Sequence, residues 1–173
     1  MTELRHVVVM GVTATGKTTV GRALAEALDG VFVEGDTFHP QANIDRMSAG
    51  KPLDDDDRRP WLKALAEEIA RLDSEGQVSV TACSALKRQY RDWLRESGAD
   101  LFFVHLEASP DVLLERMRRR AHFMPPSLLQ SQLDTLEPLG ADEAGMPIDD
   151  SRPISVVVGA AVDALKGTER RTP

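Results

Sequence analysis

The sequence predicts an α/β fold in which a parallel sheet presents a phosphate-binding loop. The pattern G-x-x-x-x-G-K-[ST] spans residues 11–18. The apolar run at residues 7–10 precedes this pattern like a buried parallel strand, and Val20 and Leu24 follow it at helical spacing. Four later apolar runs alternate with helical patterns, which is typical of repeated strand–helix units.

The loop at residues 11–18, called the phosphate loop below, is the clearest functional signal. Gly11 and Gly16 let the backbone approach phosphate oxygens, and the next helix N-terminus attracts anions. We expect Lys17 to reach the β- and γ-phosphates and the Thr18 hydroxyl to ligate Mg²⁺. An incidental glycine turn is disfavoured because both flanks fit. The predicted ATP site comprises Gly11, Val12, Thr13, Ala14, Thr15, Gly16, Lys17 and Thr18.

Length and composition narrow the class of protein. The 173 residues suffice for one α/β domain, predicted at 1–166 with a polar tail at 167–173. With 21 basic against 28 acidic residues, the net charge of −7 argues against nucleic-acid binding. The single cysteine suits the reducing cytosol, and no apolar run reaches the roughly 18 residues of a membrane span. The N-terminus leads straight into the first strand. We expect a cytoplasmic protein that binds no membrane.

Two acidic residues follow the second predicted strand, residues 31–33. Ligands of an open parallel sheet gather outside the carboxyl ends of its strands, so Glu34 and Asp36 are expected to face the phosphates. An acidic turn without function remains the alternative for Asp36.

Basic residues near the same sheet edge are candidates for holding an anionic substrate. Asp57 is the predicted N-cap of a helix with Pro60 in its first turn, which brings Arg58 to this edge. Lys87 and Arg91 follow the third predicted strand and lie four residues apart on one helix face. An anion clamp and a solvated basic face are equally compatible with that spacing.

A cluster of arginines at residues 116–120 predicts a lid. Four arginines in five positions repel one another unless an anion neutralises them, and Pro125-Pro126 ends the helix that carries them. A nucleic-acid patch or a solvated face is the alternative, but the acidic chain and the phosphate loop favour closure over phosphates. The predicted lid covers about residues 116–137.

Other signatures exclude two classes of nucleotide-binding protein. The N-K-x-D motif of GTPases is absent, because the only asparagine, Asn43, lies in N-I-D. The acidic pair that motor ATPases need is also absent, because the strands at 78–82 and 101–106 end in Ala-Cys-Ser and Leu-Glu-Ala. A small-molecule or nucleotide kinase remains.

Short motifs over residues 6–166 give a more specific match than the phosphate loop alone. On these motifs the chain resembles the bacterial-type gluconokinases, although Glu34 stands where an aspartate is frequent and the loop between Arg120 and His122 is one residue shorter than in some members. The matching residues are Gly35-Asp36, His39-Pro40, Asn43-Ile44, Met47, Pro52-Leu53, Asp55-Asp56-Asp57-Arg58, Pro60-Trp61-Leu62, Cys83-Ser84-Ala85-Leu86-Lys87, Tyr90-Arg91, Leu94-Arg95, His122-Phe123, Ser131-Gln132 and Leu136-Glu137.

The resemblance implies a fold, an activity and an assembly. It implies a five-stranded parallel sheet of order 2-3-1-4-5 with a helical lid, as in nucleoside monophosphate kinases. It implies transfer of phosphate from ATP, with Mg²⁺, to D-gluconate, and it favours a homodimer. A shikimate or nucleoside monophosphate kinase, or a nucleotide-binding module without turnover, remains the alternative.

Residue roles follow from this resemblance together with the chemistry of phosphoryl transfer. Thr18 would hold Mg²⁺, with Glu34, or alternatively Asp36, supporting it through water. Asp36 would orient the acceptor hydroxyl and take its proton. The cations assigned to the transferring phosphoryl group are Lys17, Arg116 and Arg120. The substrate carboxylate is assigned to Arg58, Lys87 or Arg91, with Arg46 a weaker candidate. His39 would bind a substrate hydroxyl, and structural capping beside Pro40 is the alternative of equal weight.

Overall fold

The computed structural model describes residues 5–119 and 125–169. Strands and helices alternate along most of this length, as the sequence pattern predicts. A 3₁₀ turn, Gly35–Phe38, follows the second strand. The elements are β1 Arg5–Met10, α1 Lys17–Ala27, β2 Val31–Glu34, α2 Gln41–Ser48, α3 Asp55–Ser74, β3 Ser79–Ala82, α4 Arg88–Arg95, β4 Asp100–Glu107, α5 Pro110–Arg118, α6 Pro126–Thr135, β5 Gly145–Asp149 and α7 Ile154–Glu169.

The strands form one parallel sheet in the order β2-β3-β1-β4-β5, which confirms the predicted order. Central strand β1 pairs on both sides, with Val8 opposite Thr81 of β3 and Phe103 of β4. All five carboxyl ends therefore lie at one edge, where parallel α/β sheets bind ligands.

Helices cover both faces of the sheet, which explains the uninterrupted apolar run of β1. Val8 belongs to a buried cluster with Leu65 of α3, whereas Val9 belongs to a second cluster with Leu24 of α1 and Ala161 of α7. Because successive strand residues face opposite sides, a strand buried on both faces needs apolar residues at every position.

Helix α3 begins three residues earlier than the sequence pattern predicts. Asp54 is the N-cap: its carboxylate accepts from the Asp57 backbone N–H at 2.7 Å, and the Asp57 carboxylate accepts from the Asp54 N–H at 3.0 Å. This reciprocal capping box satisfies two N–H groups at once, so it outweighs the preference of Pro60 for a first turn. Pro60 lies inside the helix, and the prediction of Asp57 as N-cap is wrong.

The predicted lid and tail are described in part. The lid range includes the end of α5 and all of α6, while Arg120 lies outside the described residues. The predicted tail overlaps the last residues of α7, and 170–173 lie outside the described residues. Within the described ranges, no helix combines the length and apolar character that a membrane span needs.

Candidate active site

A cavity of about 610 Å³ opens at the carboxyl edge of the sheet. Its wall combines the phosphate loop, the turn after β2, helices α2 and α3, the segment after β3, and α6. The lining residues are Thr13, Lys17, Asp36, His39, Ile44, Met47, Ser48, Pro52, Leu53, Arg58, Trp61, Ser84, Leu86, Leu128, Ser131 and Gln132.

The phosphate loop adopts a conformation that requires its glycines. Gly11 has φ +148°, and a Cβ there would lie 2.8 Å from the Leu106 carbonyl oxygen. Gly16 has φ +74° and directly precedes α1. The buried Thr15 hydroxyl donates to the Val12 carbonyl at 2.8 Å, which holds the loop in its curve.

Lys17 joins the loop to the cavity. Its Nζ donates to the Val12 carbonyl oxygen at 2.9 Å, and the side chain lines the cavity. The ammonium is therefore held against the loop backbone beside the space where a ligand would enter.

Thr18 and Glu34, the two predicted magnesium ligands, are in contact. Thr18 Oγ1 donates to Glu34 Oε2 at 2.5 Å, and Glu34 Oε1 accepts from the Asp36 backbone N–H at 3.4 Å. In the described part of the chain, no group of three or more His, Cys, Asp or Glu residues could hold a metal. Mg²⁺ commonly takes one or two protein ligands and completes its shell with phosphate oxygens and water, so this hydroxyl–carboxylate pair fits it.

The turn after β2 brings Asp36 to the cavity. A Cβ at Gly35 would collide with the Ala82 carbonyl oxygen, so the glycine lets this turn pack against the end of β3. Trp61 Nε1 donates to the Gly35 carbonyl at 2.8 Å and anchors the turn to α3. Asp36 is exposed at the cavity wall, where a bound ligand can reach its carboxylate.

His39 is held as a neutral ring. It stacks on Trp61 with ring centroids 3.9 Å apart, and its Nδ1 accepts from Asn43 Nδ2 at 3.2 Å. The same Asn43 nitrogen donates to the Asp57 carbonyl, which identifies it as the amide NH₂. Burial and the nearby charge of Arg58 lower the pKa of His39 to about 4. Since Nδ1 is the acceptor, Nε2 carries the proton.

Arg58 and Lys87 meet through a shared hydrogen-bond network, but only Arg58 lines the cavity. The Arg58 Nη1 donates to the Tyr90 hydroxyl at 2.7 Å, and that hydroxyl donates to Asp55 Oδ1 at 2.5 Å. Lys87 Nζ donates to the same Asp55 oxygen at 3.1 Å. Arg58 is only 8% exposed. The structure thus places Arg58 at the cavity and directs Lys87 towards a carboxylate beside it.

Arg91 is not a substrate ligand, and the predicted clamp with Lys87 is wrong. Its side chain is fully buried, and its Nε and Nη2 donate to the Glu143 carboxylate at 2.7 and 2.9 Å. Its Nη1 donates to the Ala85 carbonyl at 2.9 Å. The face of α4 that carries Arg91 packs against the segment before β5, and the i,i+4 spacing could not reveal that direction.

Arg116, the first arginine of the predicted lid, lies at the phosphate loop. Its Nη1 donates to Asp150 Oδ2 at 2.7 Å and to the Ala14 carbonyl at 3.2 Å. Its Nη2 donates to the Asp150 carbonyl at 2.8 Å. Burial raises the pKa of Asp150, and the adjacent Arg116 opposes that rise. Asp150 was not among the predicted site residues, although it directly follows β5. A place at the end of a strand is the same signal that led to the prediction of Glu34.

Helix α6 contributes three residues to the cavity that sequence reasoning did not assign to it. Gln132 Oε1 accepts from the Thr13 backbone N–H at 2.7 Å, which ties α6 to the phosphate loop. Ser131 and Leu128 line the wall beside it. In the sequence, only the match of Ser131-Gln132 to the family motifs pointed to this helix, and that match did not assign a role to either residue.

Comparisons with known proteins agree with this geometry. A family model described as an AAA domain matches residues 7–123. The gluconokinase of Gluconobacter oxydans (strain 621H) is 46% identical over 155 residues, covering 89% of this chain and 87% of that protein. The chain belongs to the gluconokinase family. The thermoresistant gluconokinase of Escherichia coli (strain K12) is 40% identical over 161 residues, 92% of each chain.

Solved structures separate the gluconokinase family from its more distant fold relatives. A crystal structure of a gluconokinase from Sinorhizobium meliloti 1021 has a TM-score of 0.85 and 48% identity, covering 94% of this chain and 92% of that one. A shikimate kinase from Bacteroides thetaiotaomicron has a TM-score of 0.67 at 18% identity, covering 94% and 98%. The latter shares the fold alone.

Proposed function

We propose that this protein transfers the γ-phosphoryl group of ATP to D-gluconate and forms 6-phospho-D-gluconate. The observation that carries the proposal is that one cavity holds both Lys17 of the phosphate loop and the exposed carboxylate of Asp36. A phosphoryl donor and an acceptor hydroxyl could therefore meet in it. The relatives named gluconokinase support D-gluconate as that acceptor.

Phosphoryl transfer depends on positioning and charge stabilisation more than on covalent chemistry by the protein. Lys17 and Arg116 would stabilise charge on the transferring group, with Arg120 as a further cation from the predicted lid. Thr18 and Glu34 would hold Mg²⁺, which supplies charge neutralisation at the phosphates when bound.

Asp36 is the proposed proton acceptor. The acceptor oxygen forms its bond to the γ-phosphorus while the bond from phosphorus to the bridging oxygen breaks. ADP leaves with that electron pair, and the hydroxyl proton passes to Asp36. An exposed carboxylate in the same cavity as Lys17 is suited to this role because it can reach the acceptor without displacing core side chains.

Arg58 is the proposed ligand of the gluconate carboxylate. Arg91 is committed to Glu143, and Lys87 is paired with Asp55, which leaves Arg58 as the cation of the three that lines the cavity. Its hydrogen bond to Tyr90 uses one of five guanidinium N–H donors, so others can bind a carboxylate. The neutral His39 ring would donate its Nε2–H to a hydroxyl.

The cytoplasmic location and the homodimer are proposals as well. The first rests on composition and the second on family resemblance. Sedimentation equilibrium of the purified protein should give twice the mass of the chain. A mass equal to that of one chain would exclude the dimer.

An acceptor panel tests the proposed function. ADP release should depend on gluconate and should stay near background with glucose, shikimate and nucleoside monophosphates. Glucose is the informative control because it has a comparable hydroxyl chain without the carboxylate. If another acceptor gives faster ADP release than gluconate, that acceptor, and not gluconate, is the substrate.

A further inference from the structure

Gln132 connects the two halves of the candidate site. It lies on α6 with its carboxamide at the cavity, and its Oε1 accepts from the Thr13 backbone N–H at 2.7 Å. One turn earlier on α6, Leu129 packs into the buried core. Leu129 therefore anchors the helix in the core, and Gln132 lies at the edge of that contact, where α6 borders the ligand space.

The contact with Thr13 determines which way the carboxamide points. A backbone N–H can only donate, so the group facing Thr13 must be the amide oxygen, and Nε2 must lie on the other side. Within the described part of the chain, no hydrogen bond to Gln132 Nε2 is present, and the side chain is only partly exposed. The hydrogen bond from the Thr13 backbone therefore holds the two N–H donors of Gln132 Nε2 beside the cavity.

The position of this amide favours the acceptor over other ligands. Thr13 belongs to the phosphate loop, and the cavity continues from there to Asp36 and Arg58. Arg58 already provides a cation for a carboxylate, whereas a neutral amide is suited to a hydroxyl. A sugar acid presents a row of hydroxyls, and each one that loses water needs a protein partner.

We propose that Gln132 is a specificity-determining residue whose Nε2 donates a hydrogen bond to one hydroxyl of the acceptor chain. This inference rests on the proposed gluconate kinase function. The competing role is structural: Gln132 would only clamp α6 to the phosphate loop. A clamp would affect every acceptor equally, whereas a hydrogen bond to one hydroxyl affects only acceptors that carry it.

The test measures kcat/KM for gluconate and for its monodeoxy derivatives lacking the hydroxyl at C2, C3, C4 or C5. Wild-type protein should discriminate against one of these derivatives, beyond the others, by a factor on the order of ten. Gln132→Met should lose only this discrimination, because its kcat/KM for gluconate should fall to the kcat/KM for that one derivative. Gln130→Met makes the same change two residues away on an exposed position and should retain the wild-type pattern.

Three outcomes would overturn the inference. Gln132→Met could lower kcat/KM for all acceptors by one common factor, which is the signature of a clamp. It could leave the pattern unchanged. Wild-type protein could fail to use gluconate at all, which would refute the proposed function and this inference with it.

A second variant guards against a folding defect. If thermal unfolding shows that Gln132→Met is not folded, Gln132→Glu keeps an oxygen for the Thr13 N–H but has no donor. It should lose the same discrimination among deoxy acceptors. Retained discrimination in a folded Gln132→Glu protein would contradict the role of Nε2.

Discussion

Arg91 and Glu143 form a two-point ion pair inside the protein, with Nε–Oε2 at 2.7 Å and Nη2–Oε1 at 2.9 Å. Arg91 also donates to the Ala85 and Leu86 carbonyls, and Leu86 lines the candidate active site. The pair therefore anchors the segment after β3, and this explains how Arg91 can matter for the site without contacting a ligand.

Removing Arg91 should destabilise the fold more than removing a surface arginine of the same helix. Arg91→Met leaves Glu143 buried with only part of its compensation, so the free energy of unfolding should fall by about 3 kcal/mol or more. Arg88→Met is the matched control, because its partner Asp142 is exposed, and it should lower the free energy of unfolding far less than Arg91→Met does. Urea unfolding measures both. Equal losses would contradict the proposed anchor.

Acidification should destabilise the protein through His39. Folding lowers its pKa from 6.5 to about 4, so the unfolded chain takes up this proton first as pH falls. The stabilisation is fully present above pH 6.5 and is lost as pH falls from 6.5 towards 4. His39→Phe keeps a ring on Trp61 but cannot titrate. Its unfolding free energy should fall less between these pH values than that of wild type, and identical pH dependence would contradict the prediction.

Arg58 should control the preference for a charged acceptor. Arg58→Met should lower kcat/KM for gluconate by about a hundredfold, mainly through KM, because a buried charged partner is lost. The weak activity with glucose should change little, so the ratio between the two acceptors collapses. Arg59→Met alters the exposed neighbour and should preserve the ratio. A preserved ratio in Arg58→Met would show that another group binds the carboxylate.

Arg116 should act on turnover more than on acceptor binding. Its assigned partner is the transferring phosphoryl group, so Arg116→Ala should lower kcat by about a hundredfold with a small change in KM for gluconate. Arg118→Ala removes an arginine whose side chain is 74% exposed on the same helix and should stay within about twofold of wild type. Steady-state kinetics compare the two. Normal kcat in Arg116→Ala would show that Arg116 does not stabilise the transferring phosphoryl group.

Much of the fold could be predicted because its signals are local. The phosphate loop can be recognised from eight consecutive residues. The burial of β1 on both faces can be inferred from one uninterrupted apolar run. The start of α3 was missed because four consecutive aspartates offer four possible caps. The reciprocal Asp54–Asp57 hydrogen bonds that select one of them depend on backbone geometry.

The site was harder to predict where residues meet across long sequence separations. Glu34 is the last residue of β2 and Asp36 follows it closely, so their place at the carboxyl edge of the sheet could be inferred. Arg91 could not be assigned, because helical spacing identifies a face but not what that face packs against. Glu143 and Arg91 are 52 positions apart, and nothing in the local sequence of either indicates the other.

The most direct test of the central claim identifies the product. Purified protein with ATP, Mg²⁺ and D-gluconate should release ADP and 6-phospho-D-gluconate in equal amounts, with the ³¹P signal coupled to the protons on C6. Glucose under the same conditions should give neither above background. ADP release without a phosphorylated sugar acid, or phosphate on another oxygen, would contradict the account.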